Sequence, residues 1–251
     1  MKSFLKIILK YYLKSLAKLV LFIHRPTVIA IAGSTNKSFA KNEIKKRLEE
    51  RGLSVWTGEK NFNTEIGLPL SILRIPESGY NSYRNWLPVI LKTFSALVQK
   101  NYPDILILEL GVSRPGDMKY LLSIIRPDIS VITDITQRYL ESFSGMDNLV
   151  SEYRYLADHT KRKGLVVLNS DNPRLASMSE TKGYSRSVSF GHNDLSGWRI
   201  KEIQKQETGQ RIVVENKKAD KKYFLPKFGV HNVYALVSAL AVEEEIFSRQ
   251  G

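Results

Sequence analysis

The sequence predicts an α/β fold, in which a mostly parallel β-sheet is flanked by helices and carries a small antiparallel extension. Apolar runs of strand length alternate with segments of helix length, a pattern typical of βαβ units. The strand-like runs are residues 28–32, 53–56, 104–110, 128–133 and 164–168. Residues 187–224 form short alternating segments separated by turns, which predict the antiparallel extension.

The segments between the strands predict the flanking helices. These cover residues 37–51, 83–99, 117–125, 146–161 and 229–247. Asp117 is placed to cap the third of these helices, because a carboxylate at a helix start accepts hydrogen bonds from free backbone N–H groups. Arg126-Pro127 ends the same helix.

Composition limits the classes of site that the chain can build. With 251 residues it can form one sizeable core plus appendages, and with no Cys it has neither disulfides nor Cys-ligated metals. Its four His residues lack the spacing of a transition-metal site, so any bound metal should be a hard cation. The net charge of +13 indicates an anionic partner: a nucleotide, a nucleic acid or an anionic lipid.

Residues 1–25 predict a basic amphipathic helix, and we expect a separate domain over residues 26–251. Lysines recur every four residues beside a broad apolar face, at Lys2, Lys6, Lys10, Lys14 and Lys18. Five lysines make a membrane-spanning helix costly, whereas a helix lying on an anionic membrane surface keeps them in the headgroup region. The alternative is a helix docked on the domain or on a partner. The membrane interpretation predicts a cytoplasmic protein, peripheral at the inner membrane face.

A polar loop between the first strand and the next helix predicts a phosphate site. The loop consists of Gly33, Ser34, Thr35, Asn36, Lys37 and Ser38. Backbone N–H groups and the helix dipole would face the phosphates, Lys37 would reach the terminal phosphates, and Ser38 would hold Mg²⁺. Asn36 stands where such loops normally have Gly, and Asn tolerates the left-handed conformation. The alternative is a helix capped by Ser or Thr after a core strand.

Three further positions are candidates for the same site. Glu109 ends the strand at residues 104–110, so it would lie at the carboxyl edge of the sheet and could hold Mg²⁺ opposite Ser38. The alternative is a carboxylate that only reaches water. Asn63 and Thr64 lie in a loop dense in Asn, Thr and Gly.

Six ordered motifs resemble the central ATP-binding domain of the Mur ligases, which are ATP-dependent amide ligases of peptidoglycan synthesis. They are GSTNKS, NFNTEIGLPLSIL, LELGVSRPGDMKYL, RPDISVITDI, VLNSDNPRL and FGVHNVYALVSALAV. The most similar branch of the family adds D-alanyl-D-alanine to UDP-N-acetylmuramoyl-tripeptide. In that family ATP phosphorylates the substrate carboxylate, and an amine then attacks the acyl phosphate.

The resemblance implies a role for each candidate residue. It implies ATP phosphates on Gly33 to Ser38, Mg²⁺ on Ser38 and Glu109, and catalytic roles for Lys37 and Glu109. It also implies adenine beside His231 and Asn232, and a substrate loop at Asn63 and Thr64. The implied ligands are ATP, Mg²⁺ and a UDP-muramoyl peptide.

Several family features are replaced or absent. Tyr139 stands at a metal-associated His, Tyr153 at the Lys that is carbamylated to bridge a second Mg²⁺, and Ala235 at a second Asn. Because a phenol is a poor Mg²⁺ ligand, we expect no second metal site. The family's N-terminal UDP-sugar domain is replaced by the basic helix, and its C-terminal domain would begin near Gly251, so a separate chain could supply the missing domains.

Two functions therefore remain open. One is a Mur-type ligase domain, impaired or incomplete in this chain. The other is a catalytically inactive Mur-like protein that acts as a membrane-associated scaffold. We do not expect nucleic-acid binding, because much of the positive charge lies in the terminal helix and no surface interleaves basic and aromatic residues.

Overall fold

The computed structural model describes residues 2–58, 63–75, 93, 96–138, 140–179 and 186–249. Within those residues the strands are β1 Thr27–Ala32, β2 Val55–Thr57, β3 Ile105–Glu109, β4 Ile129–Ile132, β5 Leu165–Asn169, β6 Ser187–Gly191, β7 Trp198–Gln206, β8 Gly209–Asn216 and β9 Ala219–Leu225. The helices are α1 Lys2–His24, α2 Lys37–Glu50, α3 Gly67–Ile72, α4 Asp117–Leu122, α5 Met146–His159, α6 Pro173–Ser179 and α7 Val230–Ser248. A 3₁₀ turn covers Leu140–Ser142.

One sheet contains all of these strands, in the order β2-β3-β1-β4-β5-β6-β7-β8-β9. Neighbouring strands from β2 to β7 run parallel, and β7, β8 and β9 are antiparallel. The predicted fold class is therefore confirmed. In the centre of the sheet, Ile31 of β1 pairs with Glu109 of β3 and with Val131 of β4. The carboxyl ends of these three strands thus meet at one edge, where open α/β sheets bind ligands.

Two apolar layers cover the sheet. Alternate residues of β1 point to opposite faces: Ala30 lies in the layer that contains α1, α3, α4 and α5, and Ile29 lies in the layer that contains α2 and α7. Both side chains are fully buried. Strands buried on both faces read as continuous apolar runs, which explains why the sequence located β1, β3, β4 and β5.

Helix α1 docks on the domain through one stripe of side chains. Leu9, Leu13, Ala17 and Val20 are buried in the same apolar cluster as β1 and β3. At its end, His24 Nε2 lies 3.0 Å from the carbonyl oxygen of Ala96. Docking was one of the two interpretations of this helix. The division at residue 25 and the membrane location stay predictions.

The structure corrects two local predictions. β6 pairs in parallel with β5, whereas an antiparallel segment was expected from Ser187. A parallel pair needs a crossover connection, and here the chain passes through helix α6, which the sequence did not predict. Asp117 does not cap α4: its Oδ2 accepts the N–H groups of Ser113 and Arg114 at 3.0 and 3.1 Å. Glu152 of α5 instead accepts the N–H groups at the start of α4.

The remaining predictions differ only at helix and strand ends or lie outside the described residues. α4 ends at Leu122, three residues before the predicted end, which is within the usual uncertainty of helix boundaries. Most of the helix predicted at residues 83–99 lies outside the described residues. Within the described ranges, no helix combines the length and the apolar character needed to span a bilayer.

Candidate nucleotide site

The loop after β1 is fixed by the end of β4. Gly33 has φ +138°, and a Cβ there would overlap Thr133 Oγ1, so this position requires glycine. Ser34 N donates to the Asp134 carbonyl oxygen at 2.8 Å, and Thr133 Oγ1 donates to the Thr35 carbonyl oxygen at 2.6 Å. The loop therefore has one defined shape at the carboxyl edge of the sheet.

Asn36 is in the left-handed conformation, with φ 63° and ψ 3°, and immediately precedes α2. The structure thus agrees with the prediction that Asn36 takes the conformation usually reserved for Gly. Its side chain makes no capping hydrogen bond to α2. The alternative of a helix capped by a Ser or Thr side chain is therefore wrong, and the first N–H groups of α2 lack such a cap.

Lys37 and Ser38 begin α2 beside this loop. Lys37 Nζ donates to the Gly33 carbonyl oxygen at 2.6 Å. Burial lowers the pKa of Lys37; the charge of Glu109 opposes this effect, and the charge of Arg138 adds to it. Ser38 Oγ donates to Glu109 Oε1 at 3.1 Å, so the two predicted Mg²⁺ ligands lie together.

Lys41 also belongs to this group, although the sequence reasoning missed it. Its Nζ lies 2.9 Å from Glu109 Oε1, and only 6% of the residue is exposed. The Nζ also donates to the Gly58 carbonyl oxygen at 3.2 Å. The available signal was its spacing: Lys41 follows Lys37 by one helical turn and Ser38 by three residues, so all three lie on neighbouring positions of α2.

A cavity of about 780 Å³ opens beside the loop. Its lining includes Gly33, Lys37, Asn63, Thr64 and Arg114. The predicted substrate loop is therefore brought beside the loop of residues 33–38. The close approach depends on Gly111, where a Cβ would come within 2.8 Å of the Asn63 side chain.

The start of α7 lies near the start of α2, and both helices belong to the same layer of the sheet. The His231 ring centroid is 4.5 Å from that of Phe39, the residue after Ser38. Asn232 Nδ2 donates to the Phe228 carbonyl oxygen at 2.7 Å and lies 3.0 Å from His231 Nε2. Neither residue lines the cavity: α7 packs in the layer that contains α2, whereas the cavity is bordered by Asp117 and Leu121 of α4, in the opposite layer.

The sequence profile of the Mur ligase middle domain matches residues 87–243. The chain belongs to this family.

Curated relatives of the family match nearly the whole chain. The UDP-N-acetylmuramoyl-tripeptide–D-alanyl-D-alanine ligase of Bacillus subtilis is 27% identical over 231 residues, which are 91% of this chain and 43% of the relative. The Escherichia coli ligase of the same name is 21% identical over 221 residues, covering 87% of this chain and 43% of the relative. The chain thus spans less than half the length of these relatives.

Solved Mur ligase structures share the fold. MurF ligase from Thermotoga maritima in complex with ADP has a TM-score of 0.77 at 24% identity, covering 94% of this chain and 49% of that chain. MurF from Acinetobacter baumannii has a TM-score of 0.73 at 19% identity, covering 93% of this chain and 46% of that chain. At this level of identity the likeness concerns the arrangement of strands and helices.

Of the positions at which the chain departs from the Mur ligase pattern, Asn36 lies in the loop and Tyr153 lies behind it. Tyr153 of α5 is fully buried, and its hydroxyl lies 3.5 Å from Ser34 Oγ, directly behind the loop. Ala235 is buried in α7. Tyr139 lies outside the described residues. Across the described ranges, no group of three or more His, Cys, Asp or Glu residues could hold a metal.

A second polar cluster follows β5 and β6, and the sequence reasoning did not assign it a role. Asp171 Oδ2 accepts hydrogen bonds from the Tyr234 hydroxyl and from His192 Nδ1, each at 2.8 Å. Burial acts to raise the pKa of Asp171, but the hydrogen bonds from His192 and Tyr234 outweigh it and lower the pKa. No local sequence pattern indicates this cluster, since 63 residues separate Asp171 from Tyr234.

Proposed function

We propose that this Mur ligase domain binds ATP on residues 33–38. We further propose that it is the ATP-binding domain of an amide ligase that adds D-alanyl-D-alanine in peptidoglycan precursor synthesis. The observation that carries the proposal is the loop geometry. Gly33 and Asn36 both have positive φ, α2 begins without a side-chain cap, and Lys37 lies in the loop. Together these features form an anion site at a helix N-terminus.

The proposed reaction has two steps. The terminal carboxylate of a UDP-N-acetylmuramoyl-tripeptide attacks the γ-phosphorus of ATP, which gives an acyl phosphate and releases ADP. The amine of D-alanyl-D-alanine then attacks the acyl carbon, forming the amide and releasing phosphate and a proton. Phosphoryl transfer depends mainly on positioning and on cationic stabilisation of the phosphoryl oxygens, which Lys37 and the α2 N-terminus would supply.

Mg²⁺ fits the residues present. Ser38 and Glu109 contribute hydroxyl and carboxylate oxygens, the ligand types that this ion prefers, and their oxygens already lie 3.1 Å apart. A bound Mg²⁺ would supply charge neutralisation at the phosphates. The Nζ of Lys41 now contacts the same Glu109 oxygen, so Lys41 would have to share or release it.

The cavity is the proposed place for the muramoyl peptide. It extends from Lys37 to Arg114 and includes Asn63 and Thr64, and the carboxylates of Glu65 and Asp117 in the lining are paired with Arg114. Lys37 and the amide of Asn63 would face the peptide carboxylate that must approach the γ-phosphate. His231 and Asn232, on the other side of the loop, are the proposed neighbours of adenine.

The scaffold alternative is favoured by two observations. Tyr153 fills the space behind Ser34 where the family's carbamylated Lys is expected, and a phenol does not supply carbamate oxygens. Lys41 already neutralises Glu109. A protein of this kind would hold at most one metal ion and would act through partners at the membrane. A separate chain that supplies acceptor-binding residues remains part of either proposal.

The ligase proposal can be tested with an oxygen label. The full chain is incubated with ATP, Mg²⁺, D-alanyl-D-alanine and UDP-N-acetylmuramoyl-tripeptide carrying ¹⁸O in its terminal carboxylate. An acyl phosphate transfers one ¹⁸O atom to the released phosphate, which mass spectrometry detects. Lys37→Ala should abolish this transfer. Lys45→Ala should not, since the Lys45 side chain lies on the same helix, is 40% exposed and has only a surface pair with Glu49 at 3.7 Å.

Two results would contradict ligase activity by this chain alone. Equal ¹⁸O transfer by wild type and Lys37→Ala would show that Lys37 of the loop takes no part in the reaction. No transfer by a wild-type chain that binds ATP would favour the scaffold alternative.

A further inference from the structure

Helix α1 has a second apolar face, which the domain does not cover. Opposite the buried stripe of Leu9, Leu13, Ala17 and Val20, large apolar side chains are 43–69% exposed. They are Ile7, Ile8, Tyr11, Leu19, Phe22 and Ile23. In the described residues, these six account for nearly half of the thirteen large apolar side chains that are at least 36% exposed. Exposed apolar residues scattered singly need no explanation, but a cluster on one helix face indicates an interaction surface.

The charge around this face is positive. Residues 1–25 contain six Lys or Arg and no Asp or Glu. Two of the lysines face the domain: Lys10 pairs with Glu65 at 2.9 Å and lies 3.9 Å above the Tyr120 ring, and Lys14 bonds to Ser123 at 2.6 Å. Lys18 and Arg25 are exposed, and Lys18 lies on the outward face between Tyr11 and Phe22.

We propose that the outward face of α1, from Ile7 to Ile23, binds the surface of an anionic lipid bilayer while the inward stripe stays docked on the domain. Apolar and aromatic side chains would enter the boundary between headgroups and acyl chains, and Lys18 and Arg25 would contact lipid phosphates. No part of the domain needs to unfold, because the two faces of the helix are used separately. The helix lies on the bilayer and does not cross it.

Charge complementarity selects a bilayer over a second copy of the chain. A two-fold dimer through this face would bring the same surface of two copies together, and with it Lys18 and Arg25 of both. The helix has no acidic residue with which either could pair. An anionic bilayer supplies the complementary charge.

Sedimentation with lipid vesicles tests this surface. The full chain is mixed with vesicles of phosphatidylcholine alone or of equal parts phosphatidylcholine and phosphatidylglycerol. We expect binding to the anionic vesicles, and a loss of about tenfold or more in the Leu19→Ser/Phe22→Ser double variant, since two apolar side chains no longer enter the lipid. The matched control is Leu195→Ser/Phe224→Ser, which changes two exposed apolar side chains outside α1 and should bind as wild type does.

A charge variant keeps the test valid if the double variant does not fold. Lys18→Glu retains every apolar side chain of the face and should weaken binding to anionic vesicles, with the loss shrinking as salt is raised. Absence of wild-type binding to anionic vesicles, or undiminished binding by both variants, would overturn the proposal. So would a wild-type dimer in sedimentation equilibrium without lipid that the double variant converts to monomer. Membrane binding is measured without nucleotide, so its failure is independent of the proposed ligase activity.

Discussion

At the scale of single residues, Glu109 is the carboxylate beside the loop that can bind a cation. Its Oε1 receives the Ser38 hydroxyl and the Lys41 ammonium, and its side chain is only 12% exposed. A carboxylate that is largely removed from water is stable only with such partners. Lys41 therefore supplies positive charge beside Glu109, at the place where the proposed Mg²⁺ would bind.

Replacing Lys41 should destabilise the domain. Lys41→Met leaves the largely buried Glu109 without its cation, and we expect a loss of about 1–3 kcal/mol in the free energy of unfolding. Urea denaturation measures this loss. The control Lys45→Met removes a lysine of the same helix whose side chain is 40% exposed, and it should change the free energy by less than about 0.5 kcal/mol. Equal effects of the two substitutions would contradict the role assigned to Lys41.

Lys37 should couple nucleotide binding to protonation. Burial lowers its pKa in the free domain, and a triphosphate beside it would raise that pKa again. Between the two pKa values the complex holds more protons than the free domain, so affinity should fall as pH rises through the lowered pKa of Lys37.

Calorimetry in two buffers of different ionisation enthalpy measures this proton uptake. We expect uptake by the wild-type chain in mildly alkaline buffer, below the ordinary lysine pKa of about 10.4. Lys37→Arg keeps the positive charge but stays protonated throughout, so its binding should show no uptake from this position. Identical uptake by both proteins would assign the proton to another group.

At the scale of elements, α1 belongs to the core of the domain. Its inward stripe contacts the same apolar cluster as β1 and β3, and Leu13 within it is completely buried. Removing part of a buried side chain costs the lost transfer free energy and leaves a cavity. α1 should therefore contribute to the stability of the sheet.

Shortening Leu13 tests that contribution. Leu13→Ala should lower the free energy of unfolding by about 2–5 kcal/mol. Ile8→Ala, on the exposed face of the same helix, should change it by less than about 0.5 kcal/mol in the absence of lipid. Thermal or urea unfolding followed by circular dichroism distinguishes the two. Similar small effects for both would mean that α1 is not part of the folded core.

The sequence predicts elements well where local pattern decides them. β1 and β3 are nearly continuous apolar runs because both faces are covered, and β4 differs only by the buried Ser130. Asn36 could be assigned its left-handed conformation from residue type alone. β6 was assigned to the wrong part of the sheet because an alternating pattern does not reveal the direction of a neighbouring strand. Lys41 and Asp171 were missed because their partners are far away in the sequence and meet only in the fold.

At the scale of the whole molecule, the sheet edge and α1 are connected. Lys10 of α1 pairs with Glu65, and Glu65 lines the cavity beside the loop of residues 33–38. If α1 lies on a bilayer, the cavity is held near the membrane surface. That position would suit an enzyme or scaffold of cell-wall synthesis, and it follows from the two proposals together.

The central claim, that residues 33–38 still bind nucleotide with Asn36 in place of Gly, is tested most directly by calorimetry of ATP binding in the presence of Mg²⁺. Wild type, Lys37→Ala and Lys45→Ala would be compared. We expect saturable binding by wild type and Lys45→Ala, and a loss of about tenfold or more in Lys37→Ala, because a charge-assisted contact to phosphate is removed. Wild-type binding that Lys37→Ala leaves unchanged, or no binding by any of the three, would contradict the nucleotide site.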